Sequence, residues 1–325
     1  MSAAPDHPQQ ARTAGEAEGM PVNSTVAFIG LGAMGSPMAA NLVRAGFAVT
    51  VHDVREPVRA AFVAAHPGAR AAASPAEAAR GADVLVTMLP TTDVVEAVLF
   101  GAQGVATLPH LPGLLLEMSS GQPQRTRALA ARLEARGTAV LDAPVSGGVK
   151  RAADGSLAIM VGGLPDVLER ARPLLQALGS SVTHVGGIGA GQALKALNNM
   201  CSAAGLLIAG EVLRTAQRFG LDPELVVDVL NASTGMNNAT RLKLKPFVLS
   251  GTYASGFGLD LMVKDLGIAC ELAQDLGATM PFAQACRDLW REAGHTLGPG
   301  RDHTEIARLS ARHAGVDEGP ATPRG

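Results

Sequence analysis

A short β-branched run that ends on three closely spaced glycines constrains this chain more than any other feature. Thr25-Val-Ala-Phe-Ile29 leads at once into Gly30-Leu31-Gly32-Ala33-Met34-Gly35, and Ser36-Pro-Met-Ala-Ala-Asn-Leu42 then reads as a helix. Strand, glycine turn and helix in that order form a dinucleotide-binding fingerprint. Gly30 permits the tight turn, Gly32 lets the backbone approach a pyrophosphate, and Gly35 lets the helix pack closely on the strand. The helix N-terminus then faces the anion. A second strand, Gly46-Phe-Ala-Val-Thr-Val-His-Asp53, ends in an acid 18 residues after Gly35. That is close to the ~20 residues at which such a unit places its ribose-binding carboxylate. A carboxylate there repels a 2′-phosphate, so NAD is the expected cofactor. Arg55 keeps NADP possible, because an arginine can accommodate that phosphate.

Three more apolar runs follow: Asp83-Val-Leu-Val-Thr-Met-Leu89-Pro90, Gly113-Leu-Leu-Leu-Glu-Met-Ser119-Ser120 and Ala139-Val-Leu-Asp142-Ala-Pro-Val145. Alanine-rich helical stretches separate them, the alternation of a doubly wound parallel sheet covered on both faces. Ligands of such sheets sit beyond the carboxyl ends of strands, where Leu89, Pro90 and Ser120 fall. Plain turn chemistry explains these residues equally well. Ser146-Gly147-Gly148 also follows a strand end. A hydroxyl beside bare backbone N–H groups suits a carboxylate, and the hairpin-like Gly155–Gly163 stretch continues from it.

Beyond about residue 187 strand alternation gives way to helical patterns. Gly189 to Phe219 reads as one helix interrupted only by Gly205 and Gly210; others run over Pro223–Asn231, Arg241–Leu249, Leu261–Leu276 and Pro281–Glu292. The expected organisation is a leader over 1–23, a Rossmann domain over 24–187, an all-α domain over 188–314 and a loose tail over 315–325. On the long helix Lys195 and Asn199 stand four residues apart, so an ammonium and a carboxamide share one face. A lysine acid/base beside a nicotinamide site suggests hydride chemistry. Lys264 and Asp265 interrupt an otherwise apolar helix, as a cleft-lining pair or as a solvated edge.

Net charge is −2, which provides no strong field for nucleic acid or an anionic membrane. No uninterrupted apolar run approaches the ~18 residues of a membrane span. The first residues lack an apolar core and carry a single arginine, Arg12, so they match neither a signal nor a transit peptide. Cys201, Cys270 and Cys286 are odd in number and widely spaced, which supports neither a zinc site nor a disulfide framework. Reduced thiols in a cytoplasmic protein without a metal are expected.

Four motifs, in order, resemble the β-hydroxyacid dehydrogenases, the group of 3-hydroxyisobutyrate dehydrogenase and tartronate semialdehyde reductase. They are GLGAMGSPMAANL at Gly30, DAPVSGG at Asp142, GAGQALKALNN at Gly189 and FGLDLMVKDL at Phe257. The resemblance runs from about Val26 to Arg312. It implies a Rossmann domain, an all-helical domain and an active site between them. It also implies oxidation of a small hydroxy acid with NAD, in a homodimer or homotetramer formed largely through the helical domains. By position, Lys195 resembles the catalytic lysine and Asn199 the substrate-contacting asparagine. Ser146, Gly147 and Gly148 resemble the substrate carboxylate loop. Gly30 to Gly35, Asp53, Leu89, Pro90, Ser120 and Lys264 resemble the cofactor contacts. Tartronate semialdehyde reduction and sugar-acid (threonate-type) oxidation are alternative activities, and a non-catalytic nucleotide-binding protein is a weaker one. Two places depart from the pattern. Lys150-Arg151-Ala152 stands where a glycine is common, either to attract extra negative charge or simply facing solvent. Ser233-Thr-Gly-Met-Asn-Asn238 differs from the better-known members, which leaves the substrate open.

Overall fold

The centre of the protein is a twisted sheet whose first strand, β1 (Thr25–Ile29), is flanked by β2 (Ala48–His52) and β4 (Val84–Thr87). The computed structural model describes residues 24–313; the expected leader and the expected tail from 315 lie outside them. With β3 (Arg70–Ala71), β5 (Leu114–Glu117) and β6 (Ala139–Asp142), the parallel strands stand in the order β3-β2-β1-β4-β5-β6. This is the Rossmann arrangement. The crossovers are α1 (Gly35–Arg44), α2 (Glu56–Ala65), α3 (Pro75–Ala79), α4 (Thr92–Phe100) and α5 (Pro123–Glu134). Successive residues of β1 enter opposite cores. Val26 and Phe28 pack with Met38 and Leu42 on one face, while Ala27 and Ile29 pack with Leu99 and Leu133 on the other. Every residue of β4 and β5 is buried, which is why both runs are nearly uniformly apolar rather than alternating.

Beyond β6 the sheet changes direction. The expected strand from Ala139 to Val145 divides in two at Ala143-Pro144, because Pro144 has no N–H for the ladder. It resumes as β7 (Val145–Ser146), and α6 (Gly148–Asp154) leads to β8 (Ala158–Gly162), antiparallel to both β7 and β6. The hairpin-like stretch is therefore the return strand of a β7–α6–β8 unit rather than a hairpin of its own. After α7 (Pro165–Leu178), β9 (Ser181–Gly186) pairs parallel with β8. Neither β3 nor β9 stands out in the sequence. The first is two exposed residues, and the second is a partly exposed edge with no buried face.

The chain then becomes helical: α8 (Ala190–Phe219), α9 (Pro223–Asn231), α10 (Asn238–Leu242), α11 (Leu259–Asp275), α12 (Pro281–Leu297) and α13 (Ile306–His313). The expected helix over 241–249 breaks after Leu242, and Leu244–Leu249 forms a π-helical turn containing Pro246. Among the described residues α8 alone has the length and mean hydropathy of a membrane-crossing helix, yet half of its most apolar window is buried in the protein. It packs against α11, α13 and α10 around Leu206, Leu213, Trp290 and Leu266. Gly210 serves that packing: a Cβ there would stand 3.3 Å from Ser310 Oγ on α13.

Candidate active site

The glycine turn sorts its three glycines by purpose. Gly30 has φ +102°, and a Cβ on it would lie 2.3 Å from Met88 O; one on Gly35 would lie 1.9 Å from Gly30 O. Both glycines are required by the strand and helix around them. A Cβ on Gly32 meets nothing within 4 Å, and Gly32 and Ala33 are exposed beside the start of α1. That is an open cradle with bare backbone at a helix N-terminus, the shape a pyrophosphate fills. Leu31 and Met34 complete the turn, Leu31 buried and Met34 half-buried.

At the end of β2 the Asp53 carboxylate accepts hydrogen bonds from Leu31 N (2.9 Å) and Arg55 N (3.0 Å). Arg55 Nε adds an ion pair at 2.9 Å. Burial raises this carboxyl, but the Arg55 and Leu31 bonds outweigh it and hold it down at about 2. Asp53 is thus ionised and aimed at the turn. Arg55 is exposed, and Arg59 donates to Asp53 O at 2.5 Å, so two cations flank the acid.

The ends of β4 and β5 meet α11. Leu89 N donates to Ser119 Oγ (2.9 Å), and Lys264 Nζ donates to Pro90 O (3.1 Å) and Ser120 O (2.7 Å). Lys264 therefore joins the helical part to the carboxyl ends of β4 and β5. Its neighbour Asp265 is 2% exposed and pairs with Lys264 at 3.3 Å.

Asp265 also anchors the residues on α8. Asn199 Nδ2 donates to Asp265 Oδ2 at 2.6 Å, and Lys195 Nζ donates to Asn199 Oδ1 at 3.2 Å. Lys195 is 6% exposed, and burial pulls its ammonium below the ordinary lysine value. Asp265 opposes that fall and Lys264 adds to it. The arrangement is a buried amine, held at one donor by an oriented amide, able to exchange a proton with a neighbouring oxygen.

Three residues that carry no role in the sequence reading set the position of this helix. Asp142, at the end of β6, accepts from Gly189 N (2.7 Å) and Gln192 N (2.8 Å), and so caps α8 one turn before Lys195. Gln192 donates to Ser119 O (2.8 Å) and to the Glu117 carboxylate, and accepts from Gly121 N (2.8 Å). Burial pushes Glu117 up to about 7 and Asp142 up to about 6. The signal was present: single acids at the ends of otherwise apolar buried strands need partners.

Ser146, Gly147 and Gly148 run from β7 into α6. Gly147 has φ +140° and Gly148 φ +72°; a Cβ on Gly148 meets nothing within 4 Å, whereas one on Gly147 would strike the Arg151 side chain. Lys150 and Arg151 are both exposed, as expected of solvent-facing residues. Asn237 caps α10 and donates to Gly205 O at 3.3 Å, so the divergent 233–238 segment lies against α8.

Comparison with known proteins places the chain in a family. Residues 25–186 match the family described as the NAD binding domain of 6-phosphogluconate dehydrogenase. Residues 189–310 match the NAD-binding family of NADP-dependent 3-hydroxyisobutyrate dehydrogenase. The chain is 40% identical over 300 residues to a 3-hydroxyisobutyrate dehydrogenase of Pseudomonas aeruginosa, covering 90% of this chain and 95% of the relative. It is 37% identical over 292 residues to the 2-(hydroxymethyl)glutarate dehydrogenase of Eubacterium barkeri, covering 90% and 96%. Among solved structures, the Mycobacterium tuberculosis 3-hydroxyisobutyrate dehydrogenase with L-serine superposes with a TM-score of 0.80 at 35% identity, covering 88% of this chain and 99% of that one. With an open glycine cradle, an acid at the end of β2 bonded to that turn and these relatives over nearly their whole length, the chain belongs to the β-hydroxyacid dehydrogenase family, the NAD-dependent oxidoreductases that act on a hydroxyl-bearing carbon.

Proposed function

We propose that the protein interconverts a small β-hydroxy acid and its semialdehyde or keto acid, with Lys195 as the acid/base. The observation that carries this is the buried Lys195–Asn199–Asp265 chain, tied through Lys264 to the strand ends at Pro90 and Ser120. Gly30 to Gly35 and Asp53 would hold NAD, with Leu89, Pro90, Ser120 and Lys264 at its nicotinamide end. When bound, NAD⁺ supplies the acceptor for the hydride that leaves the substrate carbon. The substrate carboxylate docks on the Ser146 hydroxyl and the backbone N–H groups of Gly147 and Gly148. Asn199, fixed by Asp265, orients the substrate oxygen. Lys195 takes the hydroxyl proton as the carbonyl forms and returns it in the reverse direction, so the released proton passes to solvent through the amine. Burial favours the neutral amine this step requires. Replacing Lys195 by alanine is expected to remove most of kcat while NADH binding survives. Near-normal turnover of the variant on a panel of 3-hydroxyisobutyrate, glycerate, 3-hydroxypropionate, threonate and serine would sink the role.

The division of labour supports a nucleotide domain ending at 187 and a helical domain from 188. A face of α8 opposite Lys195 exposes Leu194, Leu197, Ile208, Val212 and Phe219, the last 83% exposed. Such a stripe is larger than scattered surface apolar residues, and it supports a homodimer or homotetramer assembled through the helical domains. Sedimentation at the 33.1 kDa of a single chain would overturn that. A cytoplasmic location is consistent with the free thiols of Cys201, Cys270 and Cys286.

A further inference from the structure

Three polar residues share one face of the sheet at the carboxyl ends of neighbouring strands. Thr87 on β4 lies in register with Glu117 on β5, and Glu117 with Asp142 on β6. Alternation places them on the face that carries Leu85, Leu115 and Val140 two residues earlier. Neighbouring strands run about 4.8 Å apart, so the row is tight, and all three residues are at most 2% exposed. Gln192 closes the row from α8, donating to Glu117 and to Ser119 O. Thr87 Oγ1 has no hydrogen-bond partner among the described residues.

The two acids of this row are not equivalent. Asp142 accepts from Gly189 N and Gln192 N at the start of α8, where the helix dipole favours an anion. Glu117 faces no helix terminus; Ser119 N donates to one of its carboxyl oxygens and Gln192 Nε2 to the other. Burial pushes Glu117 up to about 7; the Ser119 bonds oppose that rise, Asp142 adds to it and Lys264 opposes it. From β4 it meets only uncharged Thr87, and from α8 only Gln192. Lys264 is itself engaged by Asp265, Pro90 O and Ser120 O. Buried like charges on adjacent strands disfavour each other, so Glu117 is the member of the row that exchanges a proton near neutrality. It stands two residues before Ser119, whose Oγ accepts from Leu89 N, directly behind the strand ends at which the proposed function seats the nicotinamide.

We propose that Glu117 senses the charge of the cofactor, ionised behind the positive ring of NAD⁺ and protonated behind the neutral ring of NADH. This rests on the reading of Leu89, Pro90 and Ser120 as contacts of that ring. The two cofactor forms, nearly identical in shape, are then told apart by charge. During oxidation Lys195 takes the hydroxyl proton and passes it to solvent. Glu117 takes one proton from solvent as the ring becomes neutral, and gives it back when NADH is exchanged for NAD⁺. One proton is still released per turnover, and only the moment of its release changes.

Cofactor binding tests this without turnover. Calorimetry with NAD⁺ and fluorescence with NADH give the ratio of their Kd values from about pH 6 to about pH 8. Ionised Glu117 gains weight as pH rises, so NAD⁺ binding should tighten relative to NADH, by about tenfold over that range. Glu117→Gln should make the ratio constant with pH. Lys195 also titrates at this end and could imitate the effect, so Lys195→Met is measured beside it and should keep the fall. On the wild type near neutrality, calorimetry in buffers of different ionisation enthalpy should show proton release with NAD⁺ that is absent with NADH; this reading needs no variant to fold. A ratio constant with pH in the wild type overturns the proposal. So does a fall that survives Glu117→Gln with its thermal midpoint intact, or one that disappears in Lys195→Met. Oxidation of hydroxy acids by the wild type separates the two readings. A pH-linked ratio carried by Glu117 with no hydroxy acid oxidised leaves the proposal standing and removes the assigned chemistry. Oxidation with a flat ratio does the reverse, and failure to bind either cofactor form removes both.

Discussion

The two ends of the cleft are built by different means. The nucleotide end, from Gly30 to Asp53, is backbone, and its shape comes from side chains that are missing at Gly30, Gly32 and Gly35. The reacting end is made of side chains brought from β5, β6, α8 and α11, each holding the next: Glu117 and Asp142 fix Gln192 and the start of α8, and Asp265 fixes Asn199 and so Lys195. The backbone cradle has no room for added volume at Gly30 and Gly35, is open at Gly32, and is formed by residues close together in the chain. A side-chain chain tolerates changes of volume poorly too, yet its function fails first through misplacement and altered proton affinity rather than unfolding. In the proposed reaction the first end meets a constant molecule and the second a substrate that varies.

Substitutions can break or sharpen this contrast. The largest effect is expected from Gly35→Ala, whose Cβ would stand 1.9 Å from Gly30 O; we expect loss of several kcal/mol, on the order of the severest single substitutions. Gly32→Ala has open space around it and should keep the thermal midpoint while weakening NADH binding. Equal damage to stability from both would remove the distinction between fold-required and ligand-facing glycines. At the other end, Asp265→Asn should lower kcat by about 10–100-fold through misplacement of Asn199, with NADH affinity within about threefold. Because Asp265 raises the Lys195 ammonium, its neutralisation should also move the pH dependence of oxidation to lower pH; a move to higher pH contradicts the assignment.

Asp53→Asn is expected to change the NAD⁺-to-NADP⁺ preference by about tenfold towards NADP⁺. It removes the charge that repels a 2′-phosphate and frees Arg55 to meet it. Kinetics with both cofactors would show no such change if Arg55 were only an ordinary loop residue. The smallest effect concerns Glu117. Folded, it keeps its proton to about 7, against 4.5 for the unperturbed group. Between those values the folded state binds more protons than the unfolded, so stability falls as pH rises. The wild type should lose stability relative to Glu117→Gln across that window. A gap that stays constant from pH 5 to 8 would show that the buried acid is ionised throughout.

The contrast also explains what the amino-acid sequence discloses. The nucleotide end is contiguous, and its glycines, second strand and acid announce themselves at fixed spacing. Lys195 and Asn199 are legible for the same reason, because one helix turn relates them. Their anchor is not: Asp265 stands 66 residues from Asn199, and only the packing of α11 on α8 joins them. The pairing of Gln192 with Glu117, 75 residues apart, is hidden likewise, although Glu117 itself stands out as an acid closing an apolar strand. Local grammar misleads where a proline intervenes, at Pro144 within an expected strand and at Pro246 within an expected helix, and in the Gly155–Gly163 stretch, whose hairpin look belongs to a single return strand.

The most direct test of the account is the pH dependence of kcat measured in both directions on the wild-type enzyme. Lys195 must be neutral to take the hydroxyl proton and protonated to return it, and burial places its transition below the ordinary 10.5. The account predicts oxidation rising and reduction falling with pH through one shared inflection below that value. Profiles that move in the same direction, or show no inflection below 10.5, would contradict proton transfer by Lys195.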